Sequence, residues 1–593
     1  MCRAPLIARD AASRDPDLIP FPMRSLSAVA LVGLGLTALE PTSGHDLRAQ
    51  RSAPPSADLV IRHGVVRTQD VAHATAQAVA MRGDTIVAVG TDAAIGAWIG
   101  PRTRVIDAKG RTVLPGFTDG HVHFLSGSLG LSRVNLEGAR DVAELRKRLT
   151  TWRAANPGTG WVLGRGWNYA MFGPEALPHK KYLDDLFPDR PVLLTGYDGH
   201  TSWANSKALA LAGVTKATPD PANGVVVKGA NGEPTGALKE KATALVSKLV
   251  PQPTRAEHAA ALIAGMKHAA SVGVTRVHSA GGDFDMLPIL DSLRSAGALT
   301  LRFDVGYFLD PPALRPADLE KIEAARTRYT GEWVAGGLVK LMIDGVIESH
   351  TAAMLGPYSD DPSTSGAMFW QEAPFAEAVK VLDGRGIRLM THAIGEKGVR
   401  TVLDAYAAAS AANGARERRH RIEHIETVTA ADIPRFGKEG VIASMQPLHA
   451  YPDVNTVDVW ARNIGPDRAG RAWAWTRIRN GGGRLAFGSD WPVVTLNPWP
   501  GVQVGVTRMT EKGTPVGGFV PSERLSRDEM IAGYTIGAAV AGRHEAREGS
   551  IAVGKVADVI VLARDPMNAS PAQLAAMKVE LTVSGGRVVH ERR

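Results

Sequence analysis

The chain has 593 residues, of which 44% are apolar and 22% charged, a composition that excludes collagen-like, coiled-coil and extended low-complexity proteins. Its formal net charge is +8, but the lysines and arginines are scattered and form no dense run among aromatic residues, which argues against a nucleic-acid-binding protein. The single cysteine, Cys2, excludes an intramolecular disulfide framework and a thiolate metal cluster, so a bound metal would need nitrogen and oxygen ligands.

The first fifty residues, 1–50, differ from the rest of the chain and resemble an export leader. From Met23 they have a basic start, an apolar stretch of about a dozen residues, and Leu47-Arg48-Ala49, which resembles a signal-peptidase site. The stretch is too short to span a membrane stably. An export signal normally begins the chain, so residues 1–22 are interpreted as an upstream, misassigned start. We therefore expect a periplasmic or secreted protein, or a cytoplasmic one if the leader is not functional.

Two segments at opposite ends of the chain, residues 58–114 and 545–593, have the alternating apolar pattern and glycine-containing turns of short antiparallel strands. Each segment is too small to bury a sheet face alone. The sequence therefore predicts that the two segments pair into one small β-sandwich.

Between these segments, apolar strand-like runs alternate with helix-like stretches, as they do in repeated βα units. The candidate strands lie at residues 273–280, 301–308, 337–345, 387–396, 418–426, 440–450 and 483–492. Parallel strands separated by helices predict an α/β fold in which residues 115–544 form a closed (β/α)8 barrel of the TIM type.

Metal-competent side chains recur at the carboxyl ends of the predicted strands, where barrels of this type carry their active sites. They are His121, His123, Lys340, His392, His424 and Asp490. Residues i and i+2 of a strand point to the same face, so His121 and His123 can offer two imidazoles to one ion. A His-x-His pair by itself is weak evidence, because such pairs also occur by chance in surface loops.

The spacing of these residues matches a barrel repeat. His392 and His424 are 32 residues apart, about one strand-and-helix unit, and His424 and Asp490 are 66 apart, about two. Asp490 therefore falls on the eighth strand if the two histidines end the fifth and sixth. His123 and Lys340 are 217 residues apart, more than three repeats need, which predicts an insertion at about 168–260.

This pattern resembles the amidohydrolase superfamily, whose metal barrel has His-x-His on strand one, a bridging lysine on strand four, single histidines on strands five and six, and an aspartate on strand eight. The motifs "GRGWN", "DGHTSWANSKAL", "GEPTGALKEKA", "VKLMIDG", "THAIGEKG", "RIEHIE", "SMQPLHA" and "GSDWPV" are similar to those of the amidohydrolase family 3 branch, which includes N-substituted formamide deformylases. The resemblance covers nearly the whole chain after the leader, including the split β-sandwich.

The resemblance implies a divalent metal centre. Carried over residue by residue, it implies that His121 and His123 hold one ion, expected to be zinc, and that His392 and His424 hold a second where two are bound. Whether each chain holds one or two ions stays open at this point.

The same resemblance implies roles for Lys340 and Asp490 at that centre. Lys340 is expected to be carboxylated, because a free ammonium cannot ligate a cation whereas a lysine carbamate offers two anionic oxygens. The alternative is an ion pair between Lys340 and Asp344. Asp490 is expected to lie among the metal ligands, to take a proton from metal-bound water and to pass it to the leaving amine. Zinc lowers the pKa of its bound water to about 7, which makes hydroxide available.

The predicted insertion contains residues that resemble the substrate-facing loop of the branch, namely His200, Trp203 and Asn205. Their polar groups could orient an amide or a carbonyl. The alternative is a helix start capped by Asp198 or Ser202, with Trp203 in an ordinary core.

The sequence therefore predicts an enzyme that hydrolyses a carbon–nitrogen bond of a small, non-peptide amide by metal-activated hydroxide. Alternatives are an ester or lactone hydrolase or an isomerase at the same metal centre, and a catalytically inactive, ligand-binding barrel. An intact Asp490 argues against the inactive barrel. The expected partner is a small-molecule substrate, with no nucleic acid and no stable membrane span; the oligomeric state stays open, a homodimer being one option.

Overall fold

The computed structural model describes residues 56–167, 171–172, 177–196, 201–221, 224–281 and 284–592. The predicted leader, with Cys2 and the proposed cleavage site, lies outside the described residues. Within the described ranges, none of the helices combines the length and the apolar character that a bilayer crossing requires.

The strands divide into those of the chain ends, the barrel and a layer between the first two barrel strands. In chain order they are β1 (Leu59–Arg62), β2 (Val65–Arg67), β3 (Thr75–Ala76), β4 (Ala78–Arg82), β5 (Thr85–Gly90), β6 (Arg104–Asp107), β7 (Thr112–Pro115), β8 (Phe117–Val122), β9 (Val134–Asn135), β10 (Val162–Trp167), β11 (Val192–Gly196), β12 (Thr201–Ala204), β13 (Gly224–Lys228), β14 (Pro234–Glu240), β15 (Val274–Ser279), β16 (Arg302–Phe308), β17 (Val334–Met342), β18 (Arg388–Ala393), β19 (Arg421–His424), β20 (Ile442–Met445), β21 (Arg484–Phe487), β22 (Val559–Leu562), β23 (Val579–Ser584) and β24 (Arg587–Glu591).

Most of the long helices lie between barrel strands. In chain order the helices are α1 (Asp92–Gly96), α2 (Phe124–Gly130), α3 (Val142–Ala155), α4 (Lys181–Asp184), α5 (Ser206–Leu211), α6 (Ala244–Ser247), α7 (Arg255–Ser271), α8 (Leu287–Ser295), α9 (Pro316–Arg328), α10 (Glu372–Gly384), α11 (Glu396–Asn413), α12 (Ile433–Glu439), α13 (Ala461–Ile464), α14 (Pro466–Ala469), α15 (Trp475–Asn480), α16 (Pro498–Thr507), α17 (Arg527–Ala532), α18 (Ala538–Gly542) and α19 (Pro571–Ala575). The local sequence determines where some of these helices begin. At the start of α7, for example, Thr254 and Glu257 form a reciprocal capping box.

The two chain ends form one β-sandwich, as the sequence predicts. One sheet has the strand order β5-β4-β1-β6, and the other has the order β24-β23-β22-β7-β2-β3. The C-terminal strand β22 pairs antiparallel with the N-terminal strand β7. Apolar side chains of both sheets, among them Ile61, Val79, Val113 and Val561, are buried in one core. Neither end could bury this surface without the other.

The central sheet is the predicted parallel barrel, with the order β21-β20-β19-β18-β17-β16-β15-β8. Each candidate strand of the sequence overlaps one of the strands β15 to β21. Backbone hydrogen bonds between the end of β8 and the segment after β21 close the barrel: Asp490 N–H donates to the His121 carbonyl (2.6 Å), and His123 N–H donates to the Trp491 carbonyl (2.7 Å). The TIM-like fold is therefore confirmed, and its closure brings the first and eighth strand ends together.

A six-stranded layer with the order β13-β14-β12-β11-β10-β9 lies in sequence between β8 and β15. It begins at Val134 and ends at Glu240. The layer has its own buried cluster, which includes Leu145, Trp167 and Trp203.

The barrel interior carries buried charges, where barrels of this class usually have branched aliphatic side chains. Arg276 of β15 makes two hydrogen bonds of 2.6 Å to Glu548, and Arg302 of β16 is paired with Asp558. Asp304, also on β16, lies 3.4 Å from Arg276. These charges are tolerated in the interior because oppositely charged groups face each other there.

Candidate metal centre

The six strand-end residues predicted from the sequence lie together at one end of the barrel. His121 lies in β8 and His123 follows that strand, while Lys340 lies in β17. His392 lies in β18, His424 ends β19, and Asp490 follows β21. The residues meet because the carboxyl ends of all eight parallel strands point to the same side of a barrel.

Donor atoms of three of these residues converge on one point. One ring nitrogen each of His121 and His424 and one carboxylate oxygen of Asp490 all lie within 4.8 Å of one another. Asp490 Oδ1 is 3.2 Å from His123 Nε2 and 3.4 Å from His121 Nε2. The ring centroids of His392 and His424 are 4.4 Å apart. The arrangement brings together nitrogen and oxygen donors of the kind that bind a divalent cation.

The backbone is strained where two of these side chains leave their strands. His424 has φ 73° and Asp490 has φ 61°, in a region that residues with a Cβ rarely occupy. Such strain persists where the surrounding structure imposes it, and it clusters at functional sites. At Asp490 the surrounding structure includes the backbone hydrogen bond that closes the barrel at His121.

The buried imidazoles are neutral at neutral pH. Burial lowers the pKa of His121 and His424 well below the ordinary value and lowers that of His392 to about 3, and the positive charge of Lys340 acts in the same direction on each. Each neutral ring has one nitrogen with a free lone pair. Nδ1 of His424 is buried and has no hydrogen-bond partner among the residues described. The histidines are therefore in the protonation state that metal binding requires.

Lys340 points at the imidazoles. Its Nζ lies 3.2 Å from His121 Nε2, and burial lowers its pKa to about 8 although Glu423 and Asp490 oppose the shift. Asp344, the alternative partner considered from the sequence, accepts three backbone N–H groups at 2.8 to 3.0 Å instead. The Asp344 carboxylate is thus satisfied by the backbone rather than by Lys340.

Asp490 is an ionised carboxylate next to these donors. Burial raises its pKa, but the close contact with His123 and the electrostatic interactions with His449 and Lys340 outweigh burial, so that the pKa lies below its ordinary value. Its Oδ2 lies 3.8 Å from His449 Nε2. An ionised, buried carboxylate at this position can accept a proton from a group bound in front of it.

Glu423 fixes the orientation of His121, and sequence reasoning missed it. Its Oε2 lies 2.6 Å from His121 Nδ1, and its Oε1 lies 2.8 Å from Arg421 Nε; all three side chains are almost fully buried. A carboxylate at Nδ1 places the ring proton there and leaves Nε2 free to face the cluster. The available signal was the alternation of charged Arg421 and Glu423 in a strand predicted to be buried.

A cavity of about 600 Å³ opens over this cluster. Its lining includes His392, His424, His449 and Asp490, together with apolar and aromatic residues and further carboxylates. The rings of His424 and His449 are parallel, with centroids 5.8 Å apart. A small molecule in this cavity would therefore lie against the donor cluster.

Two of the three predicted substrate-facing residues, Trp203 and Asn205, do not line this cavity. Asn205 is fully buried at the start of α5, where its side-chain oxygen accepts the N–H groups of residues 192 and 208 and its amide donates to two further carbonyls. Trp203 is fully buried and contacts Trp167 and Phe172 in the core of the six-stranded layer. Asn205 therefore caps a helix and Trp203 packs in a core, as the alternative interpretation of the sequence holds for Trp203. His200 lies outside the described residues.

A second group of metal-competent side chains, His278, Asp304 and His544, lies inside the barrel. Arg421 Nη1 donates to His278 Nδ1 at 2.8 Å, so that a neutral His278 carries its proton on Nε2. That nitrogen lies 3.3 Å from Asp304 Oδ2, and His544 Nε2 lies 2.8 Å from the same oxygen. With arginines on both sides, the group is an ion-pair network and does not offer free donors to a cation.

Comparison with known proteins shows similarity over most of the chain. The model of the amidohydrolase family matches residues 104–590. The chain is 32% identical over 551 residues to Protein LONG AFTER FAR-RED 3 of Arabidopsis thaliana, covering 91% of this chain and 93% of that protein. It is 32% identical over 497 residues to YtcJ of Bacillus subtilis, covering 83% and 91%. It is 28% identical over 549 residues to N-substituted formamide deformylase of Arthrobacter pascens, covering 90% and 98%.

Among solved structures, an uncharacterized metal-dependent hydrolase from Pyrococcus horikoshii is similar to this chain with a TM-score of 0.70 at 23% identity. The match covers 86% of this chain and 99% of that one. At this identity, the similarity shows a shared fold.

Proposed function

The chain belongs to the amidohydrolase family and is a hydrolase of carbon–nitrogen bonds, and on that premise we propose that it cleaves small, non-peptide amides or formamides at a zinc centre in the barrel mouth. The observation that carries the proposal is the convergence of donor atoms from His121, His424 and Asp490 within 4.8 Å at the floor of a cavity. His121 and His424 lie on the first and sixth strands of the barrel, and Asp490 follows the eighth, so that the three residues meet only through folding.

The residues proposed to hold the metal are His121, His123, His392 and His424, with Lys340 between the pairs and Asp490 beside them. Imidazole nitrogens and carboxylate oxygens are ligands that suit zinc among the common divalent ions. When bound, the ion supplies Lewis-acid activation of water and of the substrate carbonyl.

Lys340 is proposed to act as its carbamate. A pKa of about 8 leaves a usable fraction of neutral amine at physiological pH, and the neutral nitrogen can attack carbon dioxide, forming an N–C bond and releasing a proton. The product carries two anionic oxygens where the free ammonium would repel a cation. The distance of 3.2 Å between Lys340 Nζ and His121 Nε2 supports the proposal, because a carbamate formed on this nitrogen would lie among the residues proposed to hold the metal.

Asp490 is proposed to move the proton. Its ionised carboxylate takes a proton from the attacking water and then donates this proton to the leaving nitrogen as the carbon–nitrogen bond breaks. His123 and His449 lie on either side of the carboxylate, at 3.2 and 3.8 Å, and keep it oriented toward the cavity.

The test combines metal removal with one substitution. Dialysis against a strong chelator should abolish hydrolysis of a panel of formamides and small amides, and zinc or manganese should restore it. Asp490→Asn should lower kcat by roughly 100- to 10,000-fold, the usual contribution of one acid–base group, with metal content near normal. Asp458→Asn, at an exposed position, is the control. Full activity of the metal-free enzyme would contradict the proposal.

Localisation is proposed to be periplasmic. The proposal rests on the basic and apolar pattern that follows Met23 and on the site at Leu47-Arg48-Ala49. Mass spectrometry of the mature N-terminus after cell fractionation tests it, and an uncleaved chain in the cytoplasmic fraction would contradict it.

A further inference from the structure

The cavity over the donor cluster carries only one sign of formal charge in its described lining. Five carboxylates line it, Glu348, Glu426, Asp453, Asp490 and Glu511, and none of the described lining residues is a lysine or an arginine. The chain as a whole has a formal net charge of +8, so the acidic lining is contrary to its overall composition. A cavity of one charge sign raises the local concentration of ligands of the opposite sign.

Apart from Asp490 of the donor cluster, Glu426 is the buried member of this set, and it is the one best placed to contact the far end of a ligand. It is 7% exposed, and its Oε2 accepts a hydrogen bond of 2.7 Å from the indole N–H of Trp460. Its Oε1 has no hydrogen bond among the described residues, and the nearest group that can carry positive charge is His449 Nδ1, at 4.0 Å. The remaining coordination of this carboxylate is therefore open toward the cavity.

The surroundings hold Glu426 in this position. The Trp473 backbone N–H donates to the Glu426 carbonyl at 3.0 Å, and the rings of Trp460 and Trp473 stack with centroids 4.4 Å apart. Both indoles are about 1% exposed, so that Glu426 cannot turn away from the cavity without disturbing a packed aromatic pair. A buried carboxylate without a cationic partner is unfavourable, and a bound cation relieves that cost.

The three lining carboxylates other than Glu426 and Asp490 are exposed to solvent. They are Glu348, Asp453 and Glu511, and the Glu511 carboxylate accepts a hydrogen bond of 2.6 Å from the Tyr451 hydroxyl. The apolar lining residues include Val346, Ile394 and Leu448. The cavity thus combines exposed acidic residues, an apolar wall and one buried carboxylate in addition to Asp490 at the donor cluster.

We propose that this enzyme acts on amides that carry an ammonium or another organic cation, and that Glu426 binds the cationic end of the substrate. The proposal rests on the proposed hydrolase function and specifies its substrate class. The scissile carbonyl lies at the donor cluster, the apolar wall contacts the carbon chain, and the buried carboxylate contacts the positive charge.

A matched pair of substrates tests the proposal. N-(4-aminobutyl)formamide and N-pentylformamide have the same length and differ in a terminal ammonium against a methyl group. The metal-loaded enzyme should have a kcat/KM at least roughly tenfold higher for the cationic compound, mainly through a lower KM, because only this compound forms a buried ion pair with Glu426. Glu426→Gln should bring the preference close to one, and Glu426→Asp, which keeps the charge, should retain part of it.

The control is Glu377→Gln, which removes an exposed carboxylate of α10 and should keep the full preference. Metal content and thermal melting of each variant show whether Glu426 acts on the metal centre or on the fold instead. If both compounds are hydrolysed and the neutral one is equal or better, the cationic substrate class is wrong while the hydrolase function stands.

Binding provides an outcome that does not depend on turnover. Calorimetry should show that n-pentylammonium binds the metal-loaded protein at least tenfold more tightly than 1-pentanol does, and that Glu426→Gln removes this difference. Equal binding of the two probes would overturn the proposal. Preferential binding of the ammonium in a protein that hydrolyses no amide would support the cation site and contradict the proposed hydrolase function.

Discussion

Replacing Glu423 by Gln should weaken metal binding although Glu423 is not itself a proposed ligand. Glu423 accepts a hydrogen bond from His121 Nδ1 at 2.6 Å and forms an ion pair with Arg421, whose Nε lies 2.8 Å from Glu423 Oε1; the Glu423 side chain is fully buried. A Gln carbonyl can accept from one of these donors, but the Gln amide then turns its own N–H groups toward the other. His121 loses its fixed orientation, or Arg421 loses its partner.

The magnitude follows from these contacts. Loss of a carboxylate that orients a metal-ligating histidine typically costs 10- to 100-fold in metal affinity or activity. Removing one partner of a buried ion pair lowers the free energy of unfolding by about 3 to 5 kcal/mol. We therefore expect Glu423→Gln to raise the zinc dissociation constant by roughly 10- to 100-fold and to lower the free energy of unfolding by about 3 to 5 kcal/mol.

Zinc competition with a chromophoric chelator measures the affinity, and urea denaturation of the metal-free protein measures the stability. Glu439→Gln, in α12, is a matched control because Glu439 pairs with Arg435 away from the cavity. A zinc dissociation constant within twofold of the original value, in a folded Glu423→Gln protein, would refute the reasoning that Glu423 orients His121.

Other predictions concern Lys340, Asn205 and Asp304. Metal-free protein should regain zinc faster when bicarbonate is present, and faster as pH rises toward the pKa of Lys340 of about 8, because only the neutral amine reacts with carbon dioxide; uptake that is equally fast without bicarbonate would contradict a carbamate. Asn205→Ala should cost about 2 to 4 kcal/mol, since it removes a helix cap and leaves buried backbone groups unpaired, while KM stays unchanged; a raised KM at unchanged stability would restore the substrate-binding role. Asp304 has a pKa well below 3.8 because His544 and Arg276 outweigh the effect of burial, so its contribution to stability is present above about pH 4 and is lost as pH falls through the lower, folded-state value. Asp304→Asn should therefore reduce the loss of the free energy of unfolding that occurs as pH falls below about 4. An unchanged pH dependence would show that the charge of Asp304 does not cause this loss.

The sequence predicted the strand ends well because their signal is local. Each motif can be recognised within one short stretch of the chain: a His-x-His pair after an apolar run, or a single histidine or aspartate at the end of a predicted strand. The same reasoning misplaced Trp203 and Asn205, since a motif that resembles a substrate loop does not reveal where its side chains point. In the structure, neighbouring backbone groups occupy the hydrogen-bonding capacity of Asn205, and the aromatic cluster surrounds Trp203.

The sequence by itself determined the βα alternation, the pairing of two incomplete half-sheets and the residues proposed to bear the chemistry, because periodicity and residue type are properties of short segments. Only the tertiary structure decided which of those residues bring their donor atoms close together. The hydrogen bond between Glu423 and His121 joins positions 302 residues apart, and the closure of the barrel brings Asp490 to His121. The acidic lining of the cavity likewise comes from distant loops. Distances of this kind depend on how the strands pair around the barrel, and no local pattern of the chain encodes them.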